Sequence, residues 1–158
     1  MKSLIVTSLA VSFLFVGLAQ SFGDQPVDDQ TLLQYARQVA SEPPAVLGQH
    51  LQSANAQDRR IAATALAISA PADGKERRMR LDMLMEALVK EQDLAVANDL
   101  IGGMHYLLPT FLQELNTLMV SGKDEATKAE AARDMQVMEG WIKRIEAEKE
   151  KKNPRTAP

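Results

Sequence analysis

Residues 57–70, QDRRIAATALAISA, carry the clearest structural signal in the chain. Ile61, Ala62, Ala65, Leu66 and Ser69 recur at the 3.6-residue period of a helix, and Asp58, Arg59 and Arg60 crowd its first turn. Alanines on that face let a second helix come close, because small side chains keep the interaxial distance short. About 35 residues on, Gln92 to Met104 repeats the scheme with Asp93, Ala97, Leu100 and Ile101, and a third alanine-rich helix begins near Glu130. Self-similarity at that period predicts stacked pairs of helices.

The 158-residue chain opens with a different kind of segment. Met1 and Lys2 give a short positive start, Leu4 to Ala19 is apolar without a charge, and small residues follow at Ala19, Ser21 and Gly23 before Asp24-Gln25-Pro26. That order predicts a secretory signal peptide over residues 1–23, cleaved after Ala19, Ser21 or Gly23. An uncleaved anchor is the alternative, but the apolar run is shorter than the ~20 residues a spanning helix needs. With no cysteine in the chain, a lipobox, disulfides and thiolate metal sites are all ruled out. Stability must therefore come from packing. Residues 24–148 are long enough for a single all-α domain with one core, and residues 149–158 read as a disordered, charged tail.

A formal charge of −3 argues against nucleic acid as a partner, since phosphate binding needs clustered positive charge. Along the chain, apolar periodicity predicts six or seven amphipathic helices in antiparallel pairs. The first runs from Val27 to Ala40, capped by Asp28 or Asp29, and the second from Pro44 to about Ser53. Gln57 to Ala70 is the third, closed by the turn Pro71-Ala72-Asp73-Gly74. Lys75 to Lys90 is the fourth, burying Leu81, Leu84, Met85 and Leu88. A fifth starts after Asp93 and reaches Gly102-Gly103 or slightly beyond, and Pro109 opens a sixth with Phe111, Leu112, Leu115, Leu118 and Met119 inward. Asp124 to Lys149 is the longest, with Ala131, Met135, Met138, Ile142 and Ile145 at seam spacing. No stretch alternates with period two, so no strand is expected.

The run Arg60-Ile61-Ala62-Ala63-Thr64-Ala65-Leu66 resembles the inner-helix pattern of HEAT repeats. A second copy keeps Ala97, Leu100, Ile101 and Gly102 with Ala95 where the arginine stands, and a third keeps Ala131, Ala132 and Met135. The resemblance covers Pro44 to Ile145 as three helical pairs. It implies a right-handed α-α stack that binds another macromolecule along one face; an irregular helical bundle is the alternative fold.

Candidates for chemistry are few. His50 and His105 are the only histidines, and neither has a second strong ligand at helical spacing. Thioether ligands suit Cu(I), so Met104, His105, Met138 and Trp141 outline an alternative copper carrier, although unbranched methionines also fill core gaps. Asp58, Glu86, Asp99 and Glu114 fall on caps or polar faces, not as a converging acid-base pair. Ser41, Ser53, Ser69 and Ser121 lack a Gly-x-Ser-x-Gly context, and Gly102-Gly103 lacks the lysine and strand of a phosphate loop. Neither enzyme activity, nor a cofactor, nor a small-molecule ligand is expected. The basic residues Arg59, Arg60, Lys75, Arg77, Arg78 and Arg80 flank the turn at Pro71 to Gly74 and could face an acidic protein or anionic lipid. Glu76 and Asp82 lie within reach and offer internal pairing instead. The expectation is an exported, periplasmic or extracellular scaffold that engages another envelope protein through a helical face.

Overall fold

The computed structural model describes residues 27–152. The expected signal peptide and the last six residues of the charged tail lie outside them. The fold is all-α: α1 (Asp29–Val39), α2 (Pro44–His50), α3 (Ala56–Ile68), α4 (Gly74–Lys90), α5 (Leu94–Ser121) and α6 (Glu125–Lys152), with no strand among the described residues. Contacts cluster into two compact units divided after Ser69.

In the first unit, Asp28 caps α1 by accepting from the amides of Gln30 and Thr31, both at 3.0 Å. Pro44 starts α2, where its missing N–H costs nothing. Asn55 caps α3 by accepting from the Gln57 amide at 2.8 Å. The alanine-rich α3 packs against both α1 and α2. Leu32, Ala36 and Val39 of α1, Leu47 of α2 and Ile61, Ala62, Ala65 and Leu66 of α3 are buried. Burial on α3 also takes in Asp58, Arg60, Ala63 and Ala67, more than one amphipathic face.

The second unit begins with a capping box written in Asp73-Gly74-Lys75-Glu76. The Asp73 carboxylate accepts from the Glu76 amide at 2.8 Å, and the Glu76 carboxylate accepts from the Ala72 amide at 2.9 Å. This pulls Glu76 below the usual carboxylate range, through the Ala72 amide first and then the Arg80 guanidinium. Helix α4 buries Leu81, Leu84, Met85 and Leu88, as the spacing predicts.

The expected break between Gly102 and Pro109 is absent, and one 28-residue helix replaces two. Proline removes the N–H that the His105 carbonyl would have accepted from, and its ring crowds that carbonyl. His105, Tyr106 and Pro109 are all exposed, so water can reach the orphaned group. Meanwhile Leu100, Met104, Leu107, Leu108, Phe111 and Leu115 bury a continuous stripe across the site, and that burial holds the helix together.

Helix α6 follows after a three-residue connection and packs back along α5. Its seam is narrower than its sequence suggests: Ala131, Met138 and Ile145 are buried, Met135 is half-buried, and Ile142 is 37% exposed. Packing mainly against α5, with only slight contact to α4, α6 needs a single stripe at seven-residue spacing. It also runs on to Lys152, whose ammonium donates to the Glu91 carbonyl and lies 3.7 Å from Glu148. No described helix is long and apolar enough to cross a membrane.

Candidate binding groove

The second unit carries an open groove of about 570 Å³ where the start of α4, the last half of α5 and the first half of α6 meet. Phe111, Leu115 and Leu118 of α5, spaced i, i+4 and i+7, line it together with Ala131 of α6. Gly74 makes room at the top: a Cβ there would stand 3.4 Å from a Glu114 carboxylate oxygen and 3.8 Å from the Phe111 ring. Asp73, Lys75, Arg78, Glu114, Glu130 and Asp134 form the rim. Beyond Leu118, which is 43% exposed, Met119 and Val120 also face solvent at the end of α5. Leu118 and Met119 were expected to point inward; they stand in the last turn of the helix instead.

Salt bridges hold the walls. Arg77 of α4 pairs with Glu114 of α5. Arg78 donates to Asp82 at 3.1 Å and to Asp134 of α6 at 2.7 Å, and its guanidinium lies 5.5 Å from the centre of the Trp141 ring. This one side chain therefore ties α4 to α6 by charge and by cation–π attraction. Arg80 is only 3% exposed, and its Nε donates to Glu76 at 3.1 Å. Lys75 is exposed on the rim.

The remaining cations of the expected basic patch belong to the first unit. Arg59 donates to the backbone carbonyls of Ser53 (2.9 Å) and Ala54 (3.2 Å). Arg60 is 8% exposed, donates to the Val27 carbonyl at 3.2 Å and pairs with Asp29 at 3.4 Å. Five of the six cations therefore hold helices or caps in place within their own units, and Arg60 and Arg80 are too buried to present charge to a partner. Internal pairing by Glu76 and Asp82, the alternative visible in the sequence, is what α4 adopts. The alanines of α3 and the equivalent Ala97 of α5 are likewise buried, so they serve packing inside each unit.

The Met/His constellation does not converge. Met104 and Met138 are fully buried while His105 is exposed, and adjacent residues on a helix point about 100° apart. Trp141 is engaged with Arg78 and lines a shallower depression of about 240 Å³ with Asp82, Met85, Glu86, Val89, Lys90 and Arg144. Among the described residues no three His, Cys, Asp or Glu side chains gather as a metal site. His50, half-buried in the first unit, is held below its ordinary value by burial, partly opposed by the charge of Asp58. Asp58 accepts from the Ser53 hydroxyl at 2.9 Å through one oxygen.

Two parts of the groove had a sequence signal. The box at Asp73 to Glu76 is local, and the Arg78–Asp82 pair has i, i+4 spacing. Asp134 and Trp141 had none, because they meet Arg78 only through the return of α6. Compared with protein-family models, curated proteins and solved structures, the chain matches none.

Proposed function

We propose that this is an exported, non-catalytic helical binding protein that engages another protein of the cell envelope through the groove of α4, α5 and α6. The observation that carries the proposal is an open groove whose apolar floor, formed by Phe111, Leu115 and Ala131, leads to Leu118, 43% exposed at its mouth. A concave, mostly apolar surface with a few charged groups at its edge is characteristic of binding sites. The occupant we assign is an amphipathic helix of the partner with a lysine or arginine beside its apolar face. Phe111, Leu115 and Leu118 span about 10 Å along α5, two turns of helix, which matches the spacing of helix-in-groove anchors. Of the rim carboxylates, Glu114 and Asp134 already face Arg77 and Arg78. Asp73 and Glu130 remain exposed against Lys75 alone, so the leftover charge on the rim is acidic.

The test is site-specific photo-crosslinking from position 118 in cells, repeated with Glu130→Lys and with Leu118→Lys as competitor. One envelope protein crosslinked through an amphipathic basic segment, weakened by Glu130→Lys and competed away by the native chain but not by the Leu118→Lys chain, is the expected result. A chain that crosslinks only to lipid, or to many proteins regardless of Glu130, rules the proposal out. Sedimentation with anionic vesicles separates the membrane alternative.

A further inference from the structure

The open groove does not end at Asp134. On α4 two residues that line it, Lys75 and Arg78, continue in steps of four and three through Asp82, Met85 and Val89, which line the shallower depression. On α6 Thr127, Ala131 and Asp134 lead at helical spacing to Trp141 and Arg144. Each helix therefore gives one stripe to both depressions. Arg78 stands between them, bonded to Asp134 on one side and to Asp82 on the other, with its guanidinium against the Trp141 ring. The two depressions are halves of a single cleft between α4 and α6, and Arg78 is the strut that crosses it.

Packing explains why a cleft opens there. Helices α4 and α6 each pack along α5 and touch one another only slightly, as the diagonal pair of a four-helix bundle does. The unfilled corner of such a bundle lies between α4 and α6. Arg78 meets Asp134, and Glu91 beyond the end of α4 meets Lys152 at the end of α6, so the two helices run in the same direction. A fourth helix antiparallel to both sets its dipole against theirs. Along α4 the cleft extends from Asp73 to Lys90 and along α6 from Thr127 to Arg144, about 25 Å in each case at helical rise.

The charge left over on the rim changes sign along that length. Where α4 starts, Asp73 and Glu130 face only Lys75. At the other end Lys90 and Arg144 face only Glu86; all three are exposed and none is in an ion pair among the described residues. Between them Asp82 and Asp134 share Arg78. The cleft is thus acidic at its first end and basic at its last. A helix is itself favoured by acids in its first turn and bases in its last, because those charges oppose its dipole. Laid antiparallel to α4 and α6, such a helix puts its acids over Lys90 and Arg144 and its bases over Asp73 and Glu130. Reversed, it meets like charge at both ends. Met85, Val89 and Trp141 give the second depression an apolar floor, and aromatic residues, Met and Arg are enriched in interface cores.

Given that the groove binds a partner helix, we propose that this helix is about 17 residues long and completes a four-helix bundle in the α4–α6 cleft. It lies antiparallel to α4 and α6, acidic where it begins and basic where it ends, and its first half contacts Val89 and Trp141.

Photo-crosslinkers placed in the full chain at position 118 and, separately, at position 89 test this in cells, with the captured peptides mapped by mass spectrometry. Leu118 lines the cleft beside Gly74, about 22 Å along α4 from Val89. Both positions should capture one segment, position 89 reacting about four turns nearer its N-terminus than position 118. Lys90→Glu with Arg144→Glu should lower the yield at both positions roughly tenfold, whereas Arg133→Glu with Lys143→Glu, the same charge change outside the cleft, should not. Capture at 118 alone, capture of different segments, the opposite order, or equal losses in the two charge variants overturns the four-helix arrangement and leaves the groove as a binding site. Silence at both positions overturns the two together.

Discussion

Removing the Glu76 carboxylate should destabilise the second unit more than removing Arg80, the buried cation it accompanies. Arg80 is 3% exposed and donates through Nε to Glu76 at 3.1 Å, whereas the Glu76 side chain is 22% exposed. Glu76→Ala takes the carboxylate from beside a buried guanidinium and leaves the Ala72 amide without its acceptor. The loss of one partner of a buried pair sets the scale, and solvent access at Glu76 reduces it, so the expected cost is about 2–3 kcal/mol. Arg80→Met keeps most of the aliphatic packing and leaves a carboxylate that water can reach and that still accepts from Ala72, costing about 1 kcal/mol. The double variant removes the buried charge together with its carboxylate and should be more stable than Glu76→Ala alone. Urea unfolding followed by Trp141 fluorescence measures all three, because Trp141 is the only tryptophan and lies in the same unit as the pair. Equal costs for the two single variants, or strictly additive losses in the double, would refute the reasoning.

Stability should fall in two stages on acidification. His50 is held below its ordinary value of 6.5, so its contribution is present above that pH and is lost as pH falls through its folded value; thermal melts by circular dichroism should show a slope below about pH 6.5 that His50→Gln removes. Asp28, Glu76 and Asp124 are lowered by the amides they accept from, so their contributions, present above about pH 4.5, are lost at lower pH still, while Glu42, raised by burial, changes stability in the opposite sense. Gly140→Ala, at an exposed position in α6 with nothing within 4 Å of the added methyl, should raise stability by about 1 kcal/mol. Gly122→Ala should cost on the order of 1 kcal/mol or more, because its Cβ would stand 2.5 Å from the Leu118 carbonyl oxygen. Leu100→Ala, at a fully buried position on α5, should cost about 3 kcal/mol in the same urea assay.

The elements that were legible from sequence share a property: their signals are local. Asp28, Asn55, Asp73 and Asp93 all cap helices, and short polar side chains ahead of apolar periodicity mark those starts. Residue order marks Asp93 as a cap and puts Asp73 in a turn. At Gly102 to Pro109 the local breakers are not decisive. Each weakens a helix by a few kcal/mol at most, and the apolar stripe from Leu100 to Leu115 outweighs them once α4 and α6 cover it. The narrow seam of α6 was equally invisible, since spacing specifies a face and not how many neighbours share it.

Helical class, most caps and turns and the buried face of α4 follow from residue order, because propensity, capping and periodicity act over three or four positions. Which arginines are spent on internal pairs does not. Arg78 and Asp134 are 56 residues apart and meet only because α6 folds back along α5, which turns an apparent basic patch into the frame of a groove. Charge and apolar area become a surface only after the helices have chosen what to cover, and that choice is made by packing between distant segments.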